Sequence, residues 1–399
     1  MKRENYISTR ANVTGFSFAN LGLFTGFGDG VISAVYSLIL LEIWKTPEIV
    51  SIYSAAYFAF GLVIQMIFGE FLRITSKSRL FYSSLLSIVI CYIMMSFSIK
   101  PGTFVALDFF TEIPLIMIGT LIPLFLADFS KNTSMGQMNG RYHLWLNIGA
   151  LFSPMIAMSI AGQFGNRSAF FASAMIYLCG LFLFKRYRIV QEEKKIQKLS
   201  PRKTLRTVIR MVRSYFRVPS LARAYWINFG YYAMAAMRSL YMPIIVIQSG
   251  FSRDTLGLIL TLGFLPYILL SEPMSFIAKK FKKKATKGAL VFGTIMFSVI
   301  ALMLFFTKSN TMLILLLLWQ VSGAIQDPFH DMVFFQAANK QNQSRFFGIF
   351  RTSANFPKVV APIIGALFIF VFGMTQAIWL AAAIIGILTT FALLSKGNK

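Results

Sequence analysis

Charged side chains are scarce in this chain, and acidic side chains are the scarcest. Of the 399 residues, 13% are Asp, Glu, Lys or Arg, and only 14 residues are acidic. Soluble domains carry about a quarter of their residues as charges, so the composition excludes an ordinary water-soluble protein. Apolar residues make up 56% of the sequence, including 42 Phe and 20 Met. This balance predicts a protein that crosses the membrane several times.

Groups on which enzymes and metal sites depend are also rare. The chain has two Cys and two His. Cys91 and Cys179 fall in separate apolar stretches, so no disulfide is expected. His143 and His330 are far apart in sequence, and hydrogen-bonded structural roles are favoured for them over a metal site. The sequence contains no P-loop, nucleophile elbow or zinc-binding helix motif. We therefore expect no enzyme activity, no cofactor and no metal.

Apolar stretches long enough to cross a bilayer recur along the whole chain. A span needs about 20 mostly apolar residues. Twelve spans are predicted, at residues 16–43, 48–70, 79–97, 103–127, 138–161, 166–185, 224–247, 254–277, 287–306, 311–337, 344–370 and 374–395. The polar N-terminal stretch does not resemble a signal peptide, so the first span is expected to direct insertion. An even number of spans places both termini on one side of the membrane.

The distribution of basic residues predicts which side that is. If both termini are cytoplasmic, the cytoplasmic segments carry 32 of the 39 Lys and Arg residues, whereas the outer loops carry five. The positive-inside rule therefore predicts cytoplasmic termini in an inner or plasma membrane. The net charge of +25 is spread over loops that face an anionic leaflet. We therefore expect the lipid bilayer as a partner, no nucleic acid, and a monomeric chain.

One long basic linker divides the chain into two halves. Thirteen Lys and Arg residues lie between Lys185 and Arg223. The sequence predicts an N-terminal six-helix bundle over residues 1–185, a cytoplasmic linker over 186–223 and a C-terminal six-helix bundle over 224–399. Within the linker, apolar residues recur at helical spacing opposite arginines, which predicts a basic amphipathic helix on the membrane surface. The apolar residues are Leu205, Val208, Ile209, Val212 and Phe216.

The two halves carry traces of a repeat. Asn147 and Pro154 in the fifth span match Asn355 and Pro362 in the eleventh at one common offset of 208 residues. Two related bundles around a site at the membrane midplane are a recurrent transporter architecture. With its twelve spans, long middle loop and basic loops after spans two and eight, the sequence resembles the major facilitator superfamily across nearly its whole length. That resemblance implies an all-α fold of two pseudo-symmetric six-helix bundles.

The resemblance also points to two cytoplasmic signature loops. The candidate signature residues are Gly69, Glu70, Arg73 and Lys77 in the first loop, and Ser275, Lys279, Lys280 and Lys283 in the second. Where the family pattern has an acidic residue, this chain has Arg73 and Lys279. Glu70 and Glu272 are candidates to replace that acid by pairing with arginines of neighbouring helices. The antiporter signature of span five is present only in part, as Gly149 and Pro154.

Charged residues inside the spans follow a pattern that needs no family knowledge. Spans three, six, nine and twelve have none in their interiors. Interior charges are Asp29 in span one, Asp108 and Glu112 in four, Arg238 in seven, Asp327 and Asp331 in ten, and Lys358 in eleven. Ionisable groups in membranes face a bundle interior or a wet cavity and usually pair. These spans are therefore predicted to line a cavity, and the charge-free spans to face lipid. The resemblance implies the same for spans one, four, seven and ten.

Depth along the helices suggests roles for individual residues. Asp29 and Arg238 are both central in their spans and are predicted to pair across the two halves; Asp327 and Lys358 are predicted to pair within the second half. Purely structural pairing remains an alternative, at even odds for the second pair. Proton coupling is assigned to Asp29 and Glu112, and Asp108 is expected to be solvated. Aromatic residues expected in the substrate cavity are Tyr36, Tyr232 and Trp319.

Together these features predict a secondary active transporter that moves a small organic solute by alternating access, with proton coupling. Efflux of an amphipathic compound is slightly favoured over uptake of a polar solute. The central bases, Arg238 and Lys358, would also suit an anionic substrate. A proton-independent facilitator, and an uptake symporter for a sugar or organic acid, are alternatives. A membrane sensor on the same fold that transports nothing is an alternative of another class.

Overall fold

The computed structural model describes residues 15–98, 100–129, 135–187, 201–307, 310–330, 332–338 and 340–395. Within these ranges the chain is helical, with no β-strand. Eleven segments of the described residues are long and apolar enough to cross a membrane. The seventh predicted span is not among them, although it forms a helix of 30 residues.

The chain folds into two compact units. The first contains Met1–Ile39 and Phe60–Lys198, and the second contains Leu40–Ala59 and Leu199–Lys399. The outer part of the first two helices, residues 40–59, therefore groups with the second half of the chain. The boundaries predicted from the sequence, at residues 185 and 223, remain a prediction.

Six helices account for the first half of the sequence. They are α1 (Gly15–Trp44), α2 (Pro47–Ile74), α3 (Lys77–Phe97), α4 (Pro101–Phe129), α5 (Met135–Phe164) and α6 (Ser168–Tyr187). Proline opens α2 and α4, where its missing N–H is not needed for helix hydrogen bonding. The Ser76 side chain caps α3 by accepting from the backbone N–H of Arg79. After α5 the chain turns at Gly165, whose φ of +86° is easily adopted only by glycine.

Eight further helices follow. They are α7 (Pro201–Phe216), α8 (Pro219–Gln248), α9 (Arg253–Leu262), α10 (Leu265–Phe306), α11 (Thr311–His330), α12 (Met332–Ala337), α13 (Lys340–Phe372) and α14 (Ala377–Leu394). The eighth predicted span is interrupted at Gly263 and Phe264, between α9 and α10. By contrast, α10 continues without a break through the basic stretch predicted to be a loop before the ninth span. The residues predicted to connect the eighth and ninth spans as a loop are therefore helical in the structure.

The linker helix α7 packs on the second unit through Tyr215, which is not one of the apolar residues predicted to contact the membrane surface. Tyr215 is fully buried and packs edge-to-face on Tyr225 and Phe346. Burial raises the pKa of the Tyr215 hydroxyl. The side carrying Ile209, Val212 and Phe216 remains exposed. An apolar side that is left exposed beside arginines fits the predicted contact with the membrane surface.

Helices predicted to face lipid have one buried and one exposed apolar side. On α3, Phe81, Leu85 and Ile88 are buried, whereas Leu86 and Ile90 are exposed. Comparable exposed side chains occur on the ninth and twelfth predicted spans, for example Phe292, Val299, Ile384 and Phe391. Exposed apolar side chains of this size would be unfavourable in water and are ordinary in contact with lipid.

Glycines allow α1 and α5 to pack at backbone distance. A Cβ atom on Gly26 would lie 2.1 Å from the carbonyl oxygen of Leu146, and one on Gly149 would lie 2.3 Å from the carbonyl oxygen of Leu23. One turn further along, a Cβ on Gly30 would lie 1.9 Å from the Ser153 hydroxyl. Small residues at four-residue spacing are a common way to bring membrane helices together. The glycines around Asp29 thus hold α1 against α5.

Substituting Gly26 with Ala should therefore destabilise the protein, because the methyl group would collide with a backbone atom that cannot move alone. We expect a loss of about 1–3 kcal/mol, as for other overpacked sites, measured as a lower melting temperature of the detergent-solubilised protein. Gly119→Ala is the matched control, since a Cβ there would meet nothing within 4 Å. Equal melting temperatures for the two variants would contradict the close packing of α1 and α5.

Candidate functional site

Asp29 occupies an exposed position in the middle of α1. The Tyr177 hydroxyl of α6 donates a hydrogen bond to its Oδ1 atom. The Ser173 hydroxyl, one turn earlier on α6, donates to the carbonyl oxygen of Gly28 at 2.9 Å. A Cβ on Gly28 would lie 2.6 Å from the Tyr177 ring. Glycine at position 28 is therefore required for the tyrosine to reach the Asp29 carboxyl group.

Asp108 is not solvated, contrary to the sequence-based expectation. Its side chain on α4 is 2% exposed, and Oδ2 accepts a hydrogen bond of 2.6 Å from the Tyr36 hydroxyl of α1. Tyr36 is half-buried, its hydroxyl binds this carboxyl group, and its contact with substrate remains a prediction. A buried carboxyl group needs such hydrogen bonds to offset its desolvation.

Glu112 lies one turn further along α4 and is half-buried. Its Oε1 atom fits against Gly61 of α2, where a Cβ would approach it to 2.1 Å. Asp29, Asp108 and Glu112 all lie within electrostatic range of the buried Tyr92. The first unit thus gathers three carboxyl groups from span interiors in one region.

Arg238 is the central charge of α8. Its guanidinium Nη1 donates to the Tyr267 hydroxyl at 3.0 Å and to the Gln320 Oε1 atom. Tyr267 lies in the first turn of α10, directly after the interruption between α9 and α10. Gln320 belongs to α11. The predicted pairing of Arg238 with Asp29 joins residues of different units and remains a prediction.

Asp327 and Lys358 do not form the predicted ion pair. Among the described residues, the Asp327 carboxyl group accepts a 3.0 Å hydrogen bond from the Tyr231 hydroxyl and lies 3.5 Å from His330 Nε2. The Lys358 ammonium group lies over the Phe58 ring, 5.8 Å from its centroid. A cation over an aromatic face is stabilised without a carboxylate partner. The prediction failed because equal depth on neighbouring spans does not fix the direction of a side chain.

His330 connects Asp327 to the interior of the second unit. Its Nδ1 atom lies 3.0 Å from the Asn228 amide oxygen, and the Asn228 amide nitrogen donates to the Ser353 hydroxyl at 2.7 Å. The Tyr231 ring stacks on the imidazole at 4.5 Å. His330 is thus a hydrogen-bonded histidine, as expected, and no cluster that could hold a metal occurs among the described residues.

The remaining predicted cavity residues differ in their surroundings. Tyr232 is half-buried and lies edge-on to His330. Trp319 is 0% exposed and packs against Phe297 and Trp379. Trp319 therefore packs in the core of the second unit and does not line an accessible surface. An aromatic residue on an apolar helix gives the same sequence signal in both roles.

Most of the signature residues fall where the side chains are not described. Those outside the described side chains are Gly69, Glu70, Arg73, Ser275, Lys279, Lys280 and Lys283. Lys77 is half-buried at the start of α3. The proposed replacements for the missing acid of the signature therefore remain predictions.

Several residues that complete these sites were missed by the sequence reasoning. Tyr177, Tyr267 and Gln320 hold the central charges, yet each is neutral and gives no charge signal. Tyr267 could have been found as the polar residue directly after the Gly-Phe-Leu-Pro interruption of the eighth span, since interrupted spans often line binding sites.

Comparison with known proteins identifies the fold. The sequence model described as the Major Facilitator Superfamily matches residues 18–252 and 224–397. No curated protein matches the sequence. A POT family transporter solved in complex with a thioalcohol-conjugated peptide has 14% identity and a TM-score of 0.75, with 95% of each chain covered.

Two further solved transporters have similar folds. The nucleoside transporter NupG has 12% identity and a TM-score of 0.74, covering 95% of this chain and 98% of that one. A bacterial homolog of the human lysosomal transporter Spinster has 9% identity and a TM-score of 0.70, with 95% of each chain covered. At these identities the similarity concerns the fold alone.

The hydrogen bond between Tyr36 and Asp108 should contribute measurably to stability. Tyr36→Phe removes the donor and leaves a buried carboxyl group with one bond fewer, which costs about 1–3 kcal/mol. We expect a lower melting temperature in detergent than for the wild type. Tyr82→Phe is the matched control, because Tyr82 is 37% exposed on α3. If both variants melt at the same temperature, the bond adds nothing to stability.

Proposed function

The chain belongs to the Major Facilitator Superfamily, a family of membrane transporters, and on that premise we propose that it is a proton-coupled secondary transporter. It moves a small organic solute across the inner or plasma membrane by alternating access, with both termini in the cytoplasm. Efflux is slightly favoured over uptake. The solved proteins of similar fold include transporters described as binding peptide conjugates and 5-aminolevulinic acid, which supports an organic solute as the cargo.

The observation that carries proton coupling is the gathering of carboxyl groups in the first unit. Asp29, Asp108 and Glu112 lie in span interiors, whereas no Lys or Arg falls in the interior of the first six predicted spans. A carboxyl group in a membrane interior is strongly favoured to be neutral unless a cation or water stabilises its charge. A change in access to water therefore changes whether such a group holds a proton.

The surroundings of the three carboxyl groups separate their proposed roles. Asp29 is exposed and accepts a hydrogen bond from Tyr177, and an exposed carboxyl group can exchange a proton with a wet cavity. Glu112 is half-buried on the next span. Asp108 is 2% exposed and held by Tyr36, which suits a structural role. Asp29 and Glu112 are therefore the proposed proton carriers.

Alternatives within transport are a proton-independent facilitator and an uptake symporter for a sugar or organic acid. The charges of the second unit, Arg238 and Lys358, favour a solute that carries negative charge. A membrane sensor that transports nothing is a further alternative. It would bind ligand in detergent but give no flux of that ligand in liposomes.

Neutralising the proposed carriers should abolish the response to a pH gradient. The probe is the compound giving the largest thermal shift in a screen of sugars, organic acids, nucleosides, peptides and drugs. In proteoliposomes with a pH gradient, Asp29→Asn and Glu112→Gln should each lower net accumulation of that compound by at least tenfold. Exchange of labelled for unlabelled compound without a gradient should be retained, because exchange needs no net proton movement.

Asp254→Asn is the matched control for these variants. Asp254 is exposed in the first turn of α9, at the end of a span, so the same change of charge there should leave accumulation unchanged. If gradient-driven flux persists in both Asp29→Asn and Glu112→Gln, the assignment of proton carriers is wrong. If the wild type shows equal flux with and without the gradient, the protein is a facilitator.

A further inference from the structure

Arg238 lies in the middle of its span and makes no direct ion pair with a carboxylate of the described residues, unlike Arg253 at a span end. Arg253 lies 3.9 Å from Glu42, and Arg223 donates to the carbonyl oxygens of Ala392 and Leu393 at the end of α14. The partners of Arg238, Tyr267 and Gln320, are both neutral. Among the described residues no carboxylate lies within 4 Å of its guanidinium. Asp327 lies within electrostatic range of Arg238 but does not contact it. A positive charge without a direct ion pair at this depth is costly, and such groups are usually functional.

The guanidinium is held so that one of its edges stays available. Both hydrogen bonds use Nη1, which has two hydrogens and therefore no further donor. The Nε and Nη2 atoms make no hydrogen bond with any described residue. These two atoms form the edge that pairs with a carboxylate through two parallel N–H···O bonds. Tyr267 and Gln320 thus fix the orientation of the group without occupying its binding edge.

The interruption of the eighth span supports this arrangement. A Cβ on Gly263, between α9 and α10, would lie 2.7 Å from the Gln320 Nε2 atom. On α11, a Cβ on Gly323 would lie 2.3 Å from the Tyr267 hydroxyl. Two glycines on separate elements therefore make room for the two side chains that hold Arg238. Irregular backbone within a span is tolerated where it lines a cavity, and transporters place binding sites at such interruptions.

A small cavity lies beside Arg238, and its walls are mixed in character. Met234 and Phe297 supply apolar surface, Tyr231 and Tyr267 supply aromatic rings, and Gln326 supplies an amide. The Tyr231 hydroxyl is directed to the Asp327 carboxyl group. Arg238 carries one positive charge and the Asp327 carboxyl group lies nearby. The site is therefore better suited to a ligand with one negative charge than to a ligand with two. The cavity, of about 10 Å³, has room for little more than one water molecule in this conformation. Its lining, and not its volume, therefore indicates the ligand, a monoanion with an apolar or aromatic body.

We propose that Arg238, oriented by Tyr267 and Gln320 at the interruption of the eighth span, binds the carboxylate group of a monoanionic organic substrate. This inference rests on the proposed function, since the bound anion is the transported solute. It assigns the substrate class and does not depend on the proton carriers of the first unit.

The test is equilibrium binding to the purified full-length protein in detergent, without any gradient. The probes are acetate, phenylacetate and 3-phenylpropionate, with phenylacetamide and phenethylamine as matched neutral and cationic compounds, and inorganic sulfate. We expect thermal stabilisation by phenylacetate and 3-phenylpropionate only. Calorimetry should show that phenylacetamide binds at least tenfold more weakly than phenylacetate.

The arginine variants locate the site. Arg238→Gln should lose phenylacetate binding, and Arg238→Lys should weaken it at least tenfold, because an ammonium group cannot form the paired bonds. Arg217→Gln is the matched control: Arg217 is exposed between α7 and α8, and binding should be unchanged. Should Arg238→Gln not fold, Tyr267→Phe provides a milder variant, in which a freer guanidinium should weaken binding several-fold.

Several outcomes would overturn the inference. These are no stabilisation by any of the three carboxylates, equal binding of phenylacetamide or sulfate, or wild-type binding by Arg238→Lys. Carboxylate binding without gradient-dependent flux would leave the inference standing and refute proton coupling. Gradient-driven flux of neutral or cationic compounds alone would support proton coupling and refute the inference about the carboxylate.

Discussion

The cost of placing charge inside an apolar helical bundle is the constraint from which the main features of this protein follow. Each central charge is met by a specific neutral group: Tyr177 for Asp29, Tyr36 for Asp108, and Tyr267 with Gln320 for Arg238. Hydrogen bonds from neutral groups stabilise an ionised side chain without cancelling its charge. The charges are therefore kept in place without being cancelled, as the proposed proton and substrate roles require.

The two units meet this constraint differently, since the first has only acids in its span interiors and the second has both acids and bases. Interior acids without bases characterise the first six spans, whereas both interior bases of the chain, Arg238 and Lys358, belong to the second half. The bases of the second unit are supported differently, one by hydroxyl and amide groups and the other by the face of Phe58. This difference fits the proposed division, in which the first unit handles protons and the second handles the solute.

Much of the fold could be predicted from the sequence, because hydropathy and the bias of basic residues follow directly from the bilayer. Eleven of the twelve predicted spans correspond to described segments that are long and apolar enough to cross a membrane. These spans, the helical linker and the confinement of charge to certain spans needed only these signals. Partners of the charges could not be predicted, because Tyr177 and Gln320 give no signal among so many other polar and aromatic residues.

The predicted Asp327–Lys358 pairing failed for a related reason. The depth of a residue along a helix can be estimated from the sequence, whereas the rotation of the helix about its axis depends on packing. Trp319 was predicted for the cavity and lies in the core for the same reason. The continuity of α10 was not predicted, because a run of lysines is typical of a loop but can also be helical.

The packing of Phe297 has an optical consequence. Phe297 lines the cavity beside Arg238 and also lies 4.4 Å, between ring centroids, from Trp319. Trp319 in turn meets Trp379 edge-on at 4.8 Å, and neither indole N–H has a hydrogen-bond partner among the described residues. Fluorescence of an indole depends on the polarity and mobility of its immediate neighbours. The protein therefore carries an intrinsic, label-free reporter one side chain away from the cavity, in a chain with only five Trp.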